Sequence, residues 1–138
     1  MAKNENISIK PWSPLAGGFL SGKYKFNNEI AYDSRHDAFD FPPINKQKAY
    51  DLIDLMAEIG KNHRVSVANV ALNWVVKQPG MTSTIIGAKN LQQLNDNISA
   101  INLQLTSDEL QQLNDASAIA PEYPGWMVAR QTTGRWPG

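Results

Sequence analysis

Cysteine is absent from the 138 residues, which excludes disulfides and thiolate metal sites and fits a reducing compartment. Neither sign of charge is in excess: thirteen Lys and Arg stand against thirteen Asp and Glu. That balance gives no basic field for nucleic acid or a membrane surface, while leaving room for a local cationic pocket. Long hydrophobic runs are missing too. The opening MAKNENISIK has no apolar stretch of signal-peptide type, and the most apolar run, residues 65–76, is too short and too polar to span a bilayer. The expected location is cytoplasmic. Internal repeats and low-complexity tracts are also lacking. What remains is an ordinary globular composition, with 42% hydrophobic residues, enough for the core of one domain or of a piece of a larger one.

Along the chain, residues 7–12 alternate apolar and polar positions and read as a strand, with Pro11 as its weak point. SPLAGGFLSGKY follows, rich in small residues. Residues 25–43 combine Asn, Asp, Ser and Pro with little periodicity and read as a long surface loop. A helix is expected from about Asn45, with Ala49, Leu52, Ile53, Met56, Ile59 and Gly60 at three-four spacing, ending near Asn62 and His63. A second helix, capped by Ser66, carries Val67, Val70, Ala71, Trp74 and Val75 on one face until Pro79 and Gly80. Residues 82–86 form a second β-branched run, and the helix after it keeps Leu91, Leu94, Ile98 and Ile101 in one stripe. A last helix opens with the capping box of Thr106 and Glu109 and carries Leu110 and Leu113. Residues 120–138, with Pro121, Pro124 and Pro137, are expected to be an irregular tail after a body of residues 1–119.

The stretch with most chemical content is TSTIIGAKNLQQLNDN, residues 82–97. It reads as strand, turn and helix start, with Lys89 beside the unpaired N–H groups and the positive dipole end of a first helical turn, an arrangement that attracts phosphate. Gly17 to Lys23 also fits the G-x-x-x-x-G-K spacing of the triphosphatase phosphate loop. Tyr24, however, replaces the Ser or Thr needed on magnesium, and no clear helix follows. His36 among Asp33, Asp37 and Asp40 matches no ligand spacing, so no metal site is expected. His63 reads as a favourable charge at a helix C-terminus.

Strands alternating with helices imply parallel βαβ pairing, yet two strands cannot close a barrel or protect a parallel sheet. The pattern is that of the end of an α/β protein. SPLAGGFLSGKY, ANVALNWV, STIIGAKNLQQLNDN and LTSDELQQLN followed by YPGWM occur in an order that resembles the C-terminal part of the NADP-dependent aldo-keto reductases. The resemblance implies an α/β fold, the C-terminal portion of a (β/α)8 TIM barrel, with strands seven and eight and their helices. It would be roughly the last 40 to 45% of a barrel of about 250 residues or more.

By that resemblance, Trp12 would lie against the nicotinamide. Ser13, Pro14, Leu15, Ala16 and Gly17 would line the pyrophosphate, with small residues letting backbone N–H groups approach, and Lys23 would reach phosphate. Gly87, Ala88 and Lys89 would surround the adenosine 2′-phosphate, and Gln93, Asp96 and Asn97 would contact the adenosine end. Many relatives carry Arg or Ser where this chain has Lys89, so the charge is kept without the planar fork. The implied cofactor is NADP and the implied reaction is reduction of an aldehyde or ketone. The family's catalytic Tyr, Lys, Asp and His do not map onto this sequence, so no catalytic residue is assigned and the chain alone is expected to be inactive. Its expected partners are NADPH and either a missing N-terminal half-barrel or a second copy of itself. A non-catalytic half-barrel that self-associates and a nucleotide-binding module are the other readings.

Overall fold

The computed structural model describes residue 5 and residues 7–24 and 45–119. The surface loop, the tail, His36 with its aspartates, Tyr32 and Tyr123 lie outside the described residues. Among the described residues four α-helices follow a short 3-10 segment, Ala16–Ser21: α1 (Lys46–His63), α2 (Val67–Lys77), α3 (Leu91–Ser99) and α4 (Ser107–Ser117). A 3-10 turn, Ala100–Asn102, extends α3.

Every helix starts where a short polar side chain can take an N–H of the first turn. Asn45 Oδ1 accepts from Lys48 N–H at 3.1 Å, Ser66 Oγ from Asn69 N–H at 3.0 Å and Asn90 Oδ1 from Gln93 N–H at 2.8 Å. Thr106 and Glu109 form the expected reciprocal box. Helix α1 stops on Arg64 in the left-handed region, φ 58°, whose N–H reaches the carbonyls of Gly60 and Lys61. Gly60 has no freedom to change, because a Cβ there would stand 2.7 Å from the Val65 carbonyl oxygen.

The core lies where α1 meets α2 and α4. Ala49, Tyr50, Ile53, Met56 and Ile59 from α1 pack with Val70 and Ala71 from α2, with Leu103, and with Leu113 from α4. Phe19 joins them, stacked on Tyr24 with ring centroids 4.5 Å apart and tilted against Tyr50 at 5.5 Å. Tyr24 is therefore a core residue. With a 3-10 segment in place of a helix start, nothing of a triphosphatase loop remains at residues 17–24.

Helix α2 is more deeply enclosed than one apolar face requires. All six residues from Ala68 to Asn73 are buried. Asn73, 0% exposed, donates through Nδ2 to the carbonyls of Ala100 at 2.7 Å and Leu103 at 2.9 Å. Asn69 donates to the Asp96 carbonyl at 2.9 Å and to Ser99 Oγ at 2.8 Å. These donors fasten α3 and its 3-10 extension to α2, where sequence periodicity marks only hydrophobic contact.

The two expected strands are not present as strands among the described residues. Residues 7–12 and 82–86 run side by side, but their pairing is a single parallel bridge between Ile9 and Met81. Ile9 N–H donates to Gly80 O and Thr82 N–H to Ile9 O, each at 3.1 Å. A regular parallel ladder would next use the N–H of residue 11, and Pro11 has none. Its carbonyl instead takes Ile85 N–H at 3.2 Å and the Thr84 hydroxyl at 3.4 Å, one residue out of step. The apolar stripe of α3 also differs from a core stripe: Leu91 is 70% exposed, Ile98 51% and Ile101 61%. Among the described residues no helix is long and apolar enough to cross a membrane.

Candidate functional site

The parallel course of residues 7–12 and 82–86 brings the loop that follows each segment to the same end of the pair. Pro11 O holds both Thr84 and Ile85, which fixes the two segments to each other just before these loops begin. In α/β sheets this end is where ligands bind, outside the carboxyl ends of the parallel segments.

Trp12 closes the first segment and is 58% exposed, an indole face left at the loop end instead of in the core. The backbone then turns sharply: Ser13, Ala16 and Gly17 take φ of 54°, 48° and 67°. Non-glycine residues in this region carry strain, which tends to be kept where the chain conformation matters. The turn closes on itself. Ala16 N–H donates to Ser13 O, Gly17 N–H to Ser13 Oγ and Gly18 N–H to Leu15 O, each at 2.9 Å. These N–H groups therefore already have acceptors within the loop, so the loop offers an anion a shaped wall where the sequence suggested backbone donors. Pro14 and Leu15 are half-buried behind it, and Lys23 is exposed at the far end of the 3-10 segment.

The second loop has a different character. Gly87, Ala88 and Lys89 are exposed, and a Cβ built on Gly87 would meet nothing within 4 Å, so space is open above this turn. The Leu91 and Gln92 N–H groups belong to the first turn of α3 and have no acceptor within the helix. The N-cap and two side chains of α3 order the turn. Asn90 caps the helix, Gln93 Oε1 accepts from Lys89 N–H at 2.9 Å, and Asn97 Nδ2 donates to Gly87 O at 3.2 Å. On the other side of α3, Asp96 Oδ2 accepts from the Ser66 hydroxyl at 2.6 Å. Ser66 Oγ thus caps α2 and anchors α3 at once, a double use that nothing in the local sequence marks.

Among the described residues no group of His, Asp or Glu is arranged to hold a metal. His63 sits in the last turn of α1, where Nε2 lies 2.9 Å from both oxygens of Glu109. Burial raises the Glu109 carboxyl, but hydrogen bonds from the Thr106 backbone and hydroxyl and from His63, with the latter's charge, outweigh it and hold the group below the usual glutamate range. This pair joins α1 to α4.

The sequence model of the Aldo/keto reductase family matches residues 1–118. An uncharacterized oxidoreductase of Bacillus subtilis is 36% identical over 130 residues, covering 91% of this chain and 38% of the relative. An aldo-keto reductase of Strobilurus tenacellus is 29% identical over 94% of this chain and 38% of its own length. An L-glyceraldehyde 3-phosphate reductase of Escherichia coli is 32% identical over 119 residues, 81% of this chain and 34% of that enzyme. Among solved structures, the glycerol dehydrogenase of Gluconobacter oxydans superposes with a TM-score of 0.64 at 21% identity, covering 88% of this chain and 39% of its own. The likeness in structure bears on the fold, and the chain spans well under half the length of these relatives. By the extent of the family match and the residues that carry it, the chain belongs to the Aldo/keto reductase family.

Proposed function

We propose that this chain is the cofactor-binding portion of an NADPH-dependent oxidoreductase that reduces aldehydes or ketones. What supports this reading most is the alignment of two loops at one end of a parallel pair, one ending in an exposed indole and the other in a lysine at a helix start. NADPH has the flat nicotinamide ring at one end and a 2′-phosphate on the adenosine ribose at the other, and these two loops suit those two groups. NADPH would supply the hydride. Within this chain, Trp12 would face the nicotinamide and the wall of Ser13, Pro14, Leu15, Ala16 and Gly17 would follow the pyrophosphate, with Lys23 at its edge. Gly87 and Ala88 would leave room for the 2′-phosphate, and Lys89 with the N–H groups of Leu91 and Gln92 would balance its charge.

The group that protonates the carbonyl oxygen is assigned to residues outside this chain. Tyr24 and Tyr50 are packed in the core and have no such role. The bare stripe of α3 and the unfinished pairing at residues 7–12 and 82–86 support a partner that completes the barrel, either its N-terminal half or a second copy. A half-barrel without catalysis, folding by self-association, rests on the same two observations.

Fluorescence titration of both cofactors, on a reconstituted full barrel, tests the assignment. A charge-assisted contact of this kind is worth about 1.5 to 3 kcal/mol, so Lys89→Ala should weaken NADPH roughly 10- to 150-fold and leave NADH nearly unchanged. Equal losses for both would remove the phosphate from this loop. The chain on its own should show no NADPH-dependent carbonyl reduction; turnover abolished by replacing one of its own tyrosines would overturn that.

A further inference from the structure

Lys23 closes the first loop, and its ammonium sits at the end of a long flexible stem. For such a group to meet a phosphate in one place, its backbone has to be held. The chain around it is anchored by rings. Phe19 and Tyr24 are buried and stack on each other, and Phe19 leans on Tyr50 of α1. Between these anchors the backbone reverses at Gly22, with φ 81°, a conformation that glycine adopts without steric cost. Space matters there as much as φ. A Cβ built on Gly22 would stand 2.8 Å from Val67 Cγ2 and 2.9 Å from Val67 Cβ, so the Gly22 backbone lies flush against that side chain. Val67 opens α2 directly after the Ser66 cap, on the helix whose residues 68–73 are all buried. Its branched Cβ leaves one strongly preferred rotamer in a helix, which makes it a stiff support. Lys23 follows this contact by one residue and is exposed.

We infer that Val67 is a positioning residue for the site: the turn at Gly22 is seated on it, and this seat sets where Lys23 stands beside the pyrophosphate, without Val67 touching the ligand. The inference rests on the reading of Lys23 at the edge of the pyrophosphate. NADPH and NADH carry the same pyrophosphate. A loosened seat therefore weakens both cofactors alike, and it does so only while Lys23 is there to be displaced. A side chain that only stabilises the fold has no effect that depends on Lys23.

Nuclear magnetic relaxation on the 138-residue chain tests the seat. The Gly22 and Lys23 amides should have order parameters of about 0.85, typical of rigid backbone, falling toward about 0.6 in Val67→Ala and kept in Val67→Ile, which retains both γ-carbons. Low values at these two amides in the wild-type chain overturn the seat without any variant, and so do unchanged values in Val67→Ala. Cofactor titration on the reconstituted full barrel tests the positioning. Val67→Ala should weaken NADPH and NADH equally, by roughly fivefold, and add nothing to the loss already caused by Lys23→Ala. Losses that add independently, or a loss for NADPH alone, overturn the positioning role. If Lys23→Ala leaves both cofactors unaffected, the pyrophosphate reading fails and with it the role of Val67 in the site, while the order parameters still judge the seat by themselves.

Discussion

At the scale of single residues, backbone strain is concentrated at a few places that can be tested one at a time. Arg64 ends α1 with φ 58°, where a Cβ is unfavourable and where helices commonly place glycine. The Arg64 N–H makes the closing bonds, and these are kept by any residue except proline. Arg64→Gly is therefore expected to stabilise the chain by about 0.5 to 1 kcal/mol, read as a higher urea midpoint with an unchanged slope. A lower midpoint would mean that the arginine side chain contributes more than its strained backbone costs. The helix starts, in contrast, were legible in the sequence, because Asn45, Ser66 and Thr106 each bond an N–H three residues on, within the span that local sequence covers.

Between elements, two of the polar joints lend themselves to test. Asn73 bridges α2 to the 3-10 turn after α3, and its amide nitrogen serves two carbonyls that no water can reach. Asn73→Ala leaves both without that donor and should cost about 1 to 3 kcal/mol, measured by denaturant unfolding. A loss under a few tenths of that would show that the carbonyls find other partners. Sequence patterning missed this joint, because an asparagine on a helix reads as its polar face and the partners lie 27 and 30 residues away. The second joint is Glu109 with Thr106 and His63. Against burial, which raises it, the hydrogen bonds from Thr106 and His63 hold its folded-state carboxyl below the usual glutamate range. A depressed carboxylate stabilises the fold fully above its unfolded value, and that contribution fades as pH falls through the folded value. Glu109→Gln should therefore destabilise the chain at neutral pH and converge with wild type only in acid, once the pH has fallen below the lowered folded-state value. A constant difference across the whole pH range would assign the effect to packing.

For the molecule as a whole, the decisive feature is an apolar face without a cover among the described residues. Leu91, Leu94, Ile98 and Ile101 lie on one side of α3, and Ile85 is 56% exposed on the segment before it. Apolar stripes of this size are seldom left to water in a monomer, and an unfinished parallel edge adds unpaired backbone. Ile98→Lys is expected to lower the concentration-dependent mass seen by light scattering without lowering the unfolding midpoint. A wild-type chain that stays a cooperatively unfolding monomer at all concentrations would rule out association through this face. The sequence by itself determined the helices, their caps and the family, because periodicity, short-range capping bonds and ordered motifs are properties of neighbouring residues. It also singled out the two loops proposed as the site. The tertiary structure alone decided that residues 7–12 and 81–86 meet in one bridge and no ladder, that the Ala16, Gly17 and Gly18 N–H groups of the first loop already have acceptors, and that the polar residues of α3 reach back to the turn and to Ser66. The physical reason is that each of these depends on which hydrogen-bond partner is within about 3 Å once distant segments have packed, a distance that spacing along the chain does not encode.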